Sequence, residues 1–209
     1  MKKGLFITFE GIDCSGKSTQ VELLVEHLRQ AGREVIVPRD PGGTEIGEKI
    51  RSILLDKKNL GMSRETELFL FGASRSQLVQ DVILPSLQEG NIVVCDRFYD
   101  STTAYQGWGR GLSIEAIRQM NQVAARGLIP DITFFIDIPI DEIGRRMKKQ
   151  QTTADRMESN GTSFYENVRA GYFALAAEDK RVIVIDGTQT IERIQHQIWS
   201  GAEEMLFRK

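Results

Sequence analysis

FEGIDCSGKSTQ, residues 9–20, places Gly11 and Gly16 around four residues and follows the second glycine with Lys17, Ser18 and Thr19. Gly11-Ile12-Asp13-Cys14-Ser15-Gly16-Lys17-Ser18 matches G-x-x-x-x-G-K-[ST], a string that average composition yields by accident in about one chain of this length in a hundred. The flanks fit the motif. LFITFE (5–10) reads as a buried strand, and Val21, Leu24, Val25 and Leu28 recur at helical spacing up to a stop at Gly32. Glycines in such a strand–loop–helix unit let the backbone curl until successive N–H groups converge on phosphate oxygens at a helix N-terminus. Residues 11–19 thus form the expected cradle for a nucleoside triphosphate. Lys17 reaches the outer phosphates and the Ser18 hydroxyl ligates Mg²⁺. Cys14 stands among donors that favour an anion, so its thiol is expected to be reachable in the empty loop without taking part in catalysis.

Outward from this loop, EVIVP (34–38), NIVVCD (91–96), ITFFID (132–137) and RVIVID (181–186) repeat the character of the first strand. All five runs are nearly continuous in apolar residues, as strands covered on both faces are. Helical patterns lie between them, at about 63–88, 113–126, 139–151, 163–179 and 190–207. The alternation predicts an α/β chain with the P-loop NTPase fold: a five-stranded parallel sheet with helices on both faces and a small basic lid. No internal repeat or linker divides residues 1–209, which are read as one domain. Ligands of such sheets bind beyond the carboxyl ends of the strands.

The 209 residues carry a net charge of −2, which gives no general attraction to nucleic acid or an anionic membrane. No apolar run approaches the ~20 residues of a membrane span. The two cysteines, Cys14 and Cys95, make neither a disulfide framework nor a CxxC site, so reduced cytosol is the expected setting.

A triphosphate cradle alone does not identify a reaction, and three further stretches supply an acceptor side. In RETELFLFGASRSQLVQ (64–80), Leu68, Phe71, Arg75 and Leu78 share a helical face. Phe71 offers a ring face to a base, and Arg75, one turn away, is placed to grip a phosphate. In NIVVCDRFYDSTTAYQG (91–107), Asp96 and Arg97 fall at the end of a buried strand. Asp96 is expected to support Mg²⁺ or its waters, and Arg97 to bridge transferring oxygens. Ser101, Thr102, Tyr105 and Gln106 follow, and Gln106 has the paired donor and acceptor that read the edge of a base. In RDPGGTEIGEKIR (39–51), Pro-Gly-Gly makes a tight turn opening a helix. RRMKKQQTTADR (145–156) carries Arg145, Arg146, Lys148, Lys149 and Arg156, a basic run able to close over a triphosphate as a lid at about 145–157. A GTP-dependent switch protein would need N-K-x-D and D-x-x-G strings, and neither is present.

In order and spacing, these stretches, with the distal DR and VIDGTQ, resemble thymidylate kinases over nearly the whole chain. The resemblance implies transfer of the γ-phosphoryl of ATP to dTMP, with Mg²⁺, in a cytoplasmic homodimer. It implies that Phe71 stacks on thymine, that Arg75 and Gln106 address the base edge, and that Arg97 meets phosphate, which moves Arg75 from phosphate to base. It sets Thr102 at a base contact, Asp13 near the acceptor phosphate and sugar, Arg51 on the pocket wall and Tyr105 against C2′ of the sugar. The substrate side then comprises Asp13, Pro41, Arg51, Phe71, Arg75, Arg97, Ser101, Thr102, Tyr105 and Gln106. Lys17, Arg97, Asp13, Lys148 and Lys149 are the expected catalytic group, and Arg145 joins residues 11–19 at ATP. The chain departs from the family pattern at Asp40, where glutamate is common, and at Cys14, where members carry arginine or glycine. It departs again at Gln150 and Gln151, where lid arginines are common, leaving Arg145, Arg146, Lys148 and Lys149 as the cations for the leaving phosphate. Another (deoxy)nucleoside monophosphate is the competing acceptor.

Overall fold

A computed structural model describes residues 4–146, 156 and 161–207, together with the backbone of the helical residues 147–150. The chain runs β1 (Leu5–Glu10), α1 (Lys17–Gln30), β2 (Val35–Ile36), α2 (Glu45–Leu55), α3 (Arg64–Leu78), α4 (Leu84–Gln88), β3 (Ile92–Asp96) and α5 (Tyr99–Thr102). It continues through α6 (Ile114–Ala124), β4 (Ile132–Asp137), α7 (Ile140–Gln150), α8 (Thr162–Glu178), β5 (Val182–Asp186) and α9 (Ile191–Phe207). The five strands form one parallel sheet in the order β2-β3-β1-β4-β5.

Alternation along each strand feeds two cores. Ile7, Phe9, Val94, Phe134 and Ile136 face Leu24 and Leu28 of α1 and Ile198 of α9. Phe6, Val93 and Cys95 face Leu78 and Phe98 on the other side, and Phe135 packs with Val168 and Tyr172 of α8. Both faces of β1, β3 and β4 are therefore dry, which is why those strands lack polar alternation, whereas Ile183 and Val184 leave the edge strand β5 partly exposed despite its apolar run. α1 stops as expected at Gly32, whose φ of 73° closes the last turn, with the Arg33 N–H donating to Leu28 O at 3.0 Å.

Two elements differ from the sequence reading. β2 is shorter than residues 34–38 because it is an edge strand and Pro38 has no N–H for the ladder. The chain still clings to β3, since Pro38 O accepts from the Asp96 N–H at 3.2 Å and the Asp40 N–H returns a bond to Asp96 O at 3.1 Å. The long helix expected over 63–88 is interrupted by a π turn at Val79–Ile83. Pro85 follows at once, and its missing N–H and ring cannot continue the i→i−4 ladder.

β1 lies between β3 and β4, so the chain leaves it toward one edge of the sheet and returns later to the other. The crevice opened by that reversal lies beyond the carboxyl ends of β1 and β3, between the phosphate loop and Asp96–Arg97.

Candidate active site

The loop after β1 curls as its glycines require. Gly11 has φ 138° and Gly16 φ 101°, and a Cβ on Gly11 would stand 2.4 Å from the Ile136 carbonyl. Cys14 adopts φ 62°, a left-handed conformation in a non-glycine residue. Lys17 Nζ folds back on the loop, donating to Gly11 O at 3.0 Å and Ile12 O at 2.9 Å. Burial, with Arg97 nearby, pushes the Lys17 ammonium down to about 8. Ile12 itself is buried in the core, and only its backbone serves the site. Residues 13–20 line a cavity of about 710 Å³ whose far wall is Gly187, Gln189 and Ile191, between β5 and α9.

Arg97 follows β3 with φ 69°, a strained conformation of the kind concentrated at functional sites. Its Nη1 donates to Gly11 O at 2.6 Å and Ser101 Oγ at 3.1 Å, its Nη2 donates to Asp13 Oδ1 at 2.6 Å, and its guanidinium lies 5.3 Å from the Tyr105 ring centre. Burial lifts the Asp13 carboxyl, but Arg97 and Lys17 outweigh it and hold the group below the ordinary carboxylate range. The Tyr105 hydroxyl donates to Asp13 Oδ2 at 3.4 Å. Behind Arg97, Glu10 accepts from the Phe98 N–H at 2.8 Å and the Tyr172 hydroxyl at 3.0 Å, and also from Ser101 Oγ. Burial, with Asp100 nearby, raises the Glu10 carboxyl to about 7.

A second, smaller cavity of about 100 Å³ holds the acceptor-side residues together. Pro41, Phe71, Ser101, Thr102, Tyr105 and Gln106 line it, as does Arg75. The Asp40–Pro41 peptide is cis, and Arg51 Nη1 donates to Pro41 O at 2.9 Å. The Gly42 N–H donates to Ser74 Oγ at 3.0 Å, which fastens the Pro-Gly-Gly turn to α3. Gly72 admits α6 against α3, since a Cβ there would lie 2.4 Å from Met120 Sδ. Arg75 is 1% exposed. Its Nε donates to Asp40 Oδ2 at 2.5 Å, its Nη1 to Asn121 Oδ1 at 2.8 Å, and its Nη2 to Thr102 Oγ1 at 2.7 Å and Phe98 O at 3.5 Å. With four of a guanidinium's five N–H groups engaged, Arg75 is a fixed wall of this cavity rather than a mobile clamp.

Asp13, Asp40, Arg51 and Arg97 line both cavities. Two ligands seated there meet across two cations and two carboxylates. The larger cavity also suits Mg²⁺. Ser18 and Asp96 both line it, and the buried Asp96 Oδ1 and Asp40 Oδ1 have no hydrogen-bond partner. Among the described residues no three His, Cys, Asp or Glu side chains are grouped to hold a metal. Few protein ligands and unsatisfied carboxylate oxygens match an ion that keeps its waters and leans on substrate phosphates.

The basic run divides three ways. Arg145, expected at ATP, is exposed and paired with Asp141 at 3.0 Å and Glu142 at 3.3 Å on the outer face of α7. Arg146 enters the cavity instead, donating to Cys14 O and Ser15 O at 3.3 Å and to Gly187 O at 3.0 Å. One residue along a helix turns a side chain by about 100°, which sequence spacing alone did not resolve. Arg156 leaves the triphosphate side altogether: it is buried, donating to Leu54 O at 2.6 Å and pairing with Glu67 at 2.7 Å. The side chains of Lys148 and Lys149 lie outside the described residues. Thr19 lines the larger cavity as expected, and Cys95 is buried behind the site, where burial lifts its thiol well above the ordinary range. The sequence reading missed Glu10, Tyr172, Glu67 and Asn121. A carboxylate closing the apolar strand LFITFE was a usable signal for Glu10; Tyr172, on a distant helix, had none.

A family model described as thymidylate kinase matches residues 9–198. The chain is 47% identical to a thymidylate kinase of Caldanaerobacter subterraneus over 98% of this chain and 97% of that one. It is 45% identical to one of Chlorobaculum parvum, over 96% of each chain. The crystal structure of thymidylate kinase from Ehrlichia chaffeensis superposes with a TM-score of 0.79 at 36% identity, covering 96% of this chain and 99% of that one. The chain belongs to the thymidylate kinase family of phosphotransferases, and its reaction is the ATP-dependent phosphorylation of dTMP to dTDP, a step of nucleotide biosynthesis.

Proposed function

We propose that ATP occupies the larger cavity and dTMP the smaller, with γ-phosphoryl transfer at their shared wall of Asp13, Asp40, Arg51 and Arg97. That common wall is the observation that carries the reading, because in-line transfer needs donor and acceptor phosphates to meet in one charged volume. The loop N–H groups and Arg146 hold the donor phosphates, and Lys17 exchanges the carbonyls of Gly11 and Ile12 for phosphate oxygens. Arg97, pinned by Asp13 and Ser101, faces the transferring oxygens. Phe71 covers the base, Arg75, Thr102 and Gln106 read its edge, and Tyr105 stands beside the sugar. The acceptor phosphate is itself the nucleophile and is largely dianionic at neutral pH, so no side chain has to take a proton; Asp13 acts by position. Ser18 and Asp96 would hold Mg²⁺, which would supply charge neutralisation at the donor phosphates.

The whole chain serves as one catalytic domain with a lid near 145–157, whose remaining cations are Lys148 and Lys149. The protein works as a cytoplasmic homodimer; family membership supports this, as do Ile53 on α2 and Phe69 on α3, which stand exposed. No helix among the described residues is long and apolar enough to cross a membrane. ADP release with ATP and Mg²⁺ across a panel of nucleoside monophosphates tests the acceptor. dTMP should lead the panel, and a higher kcat/KM for dCMP or a purine monophosphate would displace this reading. Light scattering tests the dimer.

A further inference from the structure

Glu67, in the first turn of α3, is 2% exposed and lines neither cavity itself. Its Oε1 accepts from Gln106 Nε2 at 2.8 Å and Arg110 Nε at 3.1 Å; its Oε2 accepts from Arg156 Nη1 at 2.7 Å and Arg110 Nη2 at 3.3 Å. Burial pushes this carboxyl up, but the bonds from Arg110, Gln106 and Arg156 outweigh it and hold the group below the ordinary carboxylate range. An ionised carboxylate only accepts. Gln106 must therefore give Glu67 its amide nitrogen, and its Oε1, which has no hydrogen-bond partner among the described residues, is left to the cavity Gln106 lines.

We propose that Glu67 is a positioning residue for base choice: by holding Gln106 Nε2, it makes the cavity present an acceptor beside the Arg75 donor. The inference rests on the reading of Gln106 as a base contact. A donor next to an acceptor complements the O4 and N3–H of a 2,4-dioxopyrimidine. It opposes a 4-aminopyrimidine at both atoms, since cytosine carries a donor at C4 and an acceptor at N3. A neutral partner at position 67 either accepts or donates, so Gln106 is then free to reverse and offer its nitrogen to the base.

The test compares dTMP with 5-methyl-dCMP, which differ only at C4 and N3, by kcat/KM in wild type, Glu67→Gln and Gln106→Ala. The preference for dTMP should fall by at least about tenfold in both variants, as expected when a buried polar group no longer opposes the wrong partner. Loss of activity on both substrates with an unchanged ratio in Glu67→Gln alone makes Glu67 merely structural and overturns the proposal. An unchanged ratio in both variants overturns the reading of Gln106 as well. A fall in Glu67→Gln without one in Gln106→Ala overturns the route through Gln106. If Glu67→Gln does not fold, the side-chain amide resonances of Gln106 in the wild-type protein decide. They should exchange slowly both without and with dTMP, because the nitrogen stays on Glu67; fast exchange once dTMP is bound overturns the proposal.

Discussion

The two cavities are built in opposite ways. The larger cavity takes eight consecutive lining residues, 13–20, from one loop and the helix it opens, and the cation of that stretch, Lys17, is parked on two carbonyls of the same loop. The acceptor cavity is made by side chains from α3, the turn after β2 and the segment after β3, tied together by the buried Arg75–Asp40 pair and the contacts of Arg75 to Asn121 and Thr102. A backbone cradle accepts any polyphosphate, whereas a wall of locked side chains presents one fixed pattern of donors and acceptors. The contrast teaches that the cations of the two sides are held differently: Arg75 is locked into a buried pair with Asp40, whereas Lys17 rests on two loop carbonyls.

Truncating Arg75 gives the largest expected effect on stability. Arg75→Ala leaves Asp40 buried without its partner, which should cost about 3–5 kcal/mol in urea unfolding. Lys17→Ala should leave stability unchanged or higher, because burial already disfavours the Lys17 ammonium, while turnover collapses. Equal unfolding midpoints for the two variants would erase the contrast. At the shared wall, Arg97→Ala should lower kcat by ~10²-fold or more with a smaller change in the KM for ATP. Near-normal turnover would remove Arg97 from the transferring oxygens.

A smaller effect concerns protons. With the Lys17 ammonium pushed down to about 8 from an ordinary value of 10.5, the empty folded protein binds fewer protons than the unfolded chain between those values. Lys17 thus costs stability below pH 8, and the cost fades as pH rises through that window. ATP phosphates favour the charged form, so ATP binding at pH 9 should take up close to one proton more than in Lys17→Ala. Calorimetry in two buffers of different ionisation enthalpy measures this, and equal uptake in the two proteins would refute it. The smallest effect is expected at Cys14. Its φ of 62° suits glycine, so Cys14→Gly should keep activity and stabilise the protein by roughly 0.5–1 kcal/mol, as left-handed strain is relieved against a larger unfolded-state entropy. A loss of stability would mean that side-chain contacts at Cys14 outweigh its backbone.

The donor cavity was legible because a phosphate cradle is a backbone structure, and backbone shape follows from local glycine spacing between a strand and a helix. The strands were legible for a related reason: burial on both faces writes itself as continuous apolar runs. Most residues that line the smaller cavity were named as well, since Phe71 and Arg75 share one helical face and Ser101 to Gln106 follow one strand. What lay beyond local pattern was which polar atom faces which. Arg145 and Arg146 are adjacent in sequence, yet only the packing of α7 turns Arg146 to the loop carbonyls and Arg145 to solvent. Arg156 looked like a lid cation until a carboxylate 89 positions earlier, Glu67, met it inside the protein. Gln106 carries both a donor and an acceptor in sequence, and only the neighbouring carboxylate decides which one the cavity sees. The sequence by itself determined the sheet, the phosphate loop and the chemical types at the site, because these depend on neighbours within a few residues. The tertiary structure alone decided the pairing of buried charges and the polarity of the base wall, because a buried polar atom takes whatever partner the fold brings within about 3 Å, however distant in the chain.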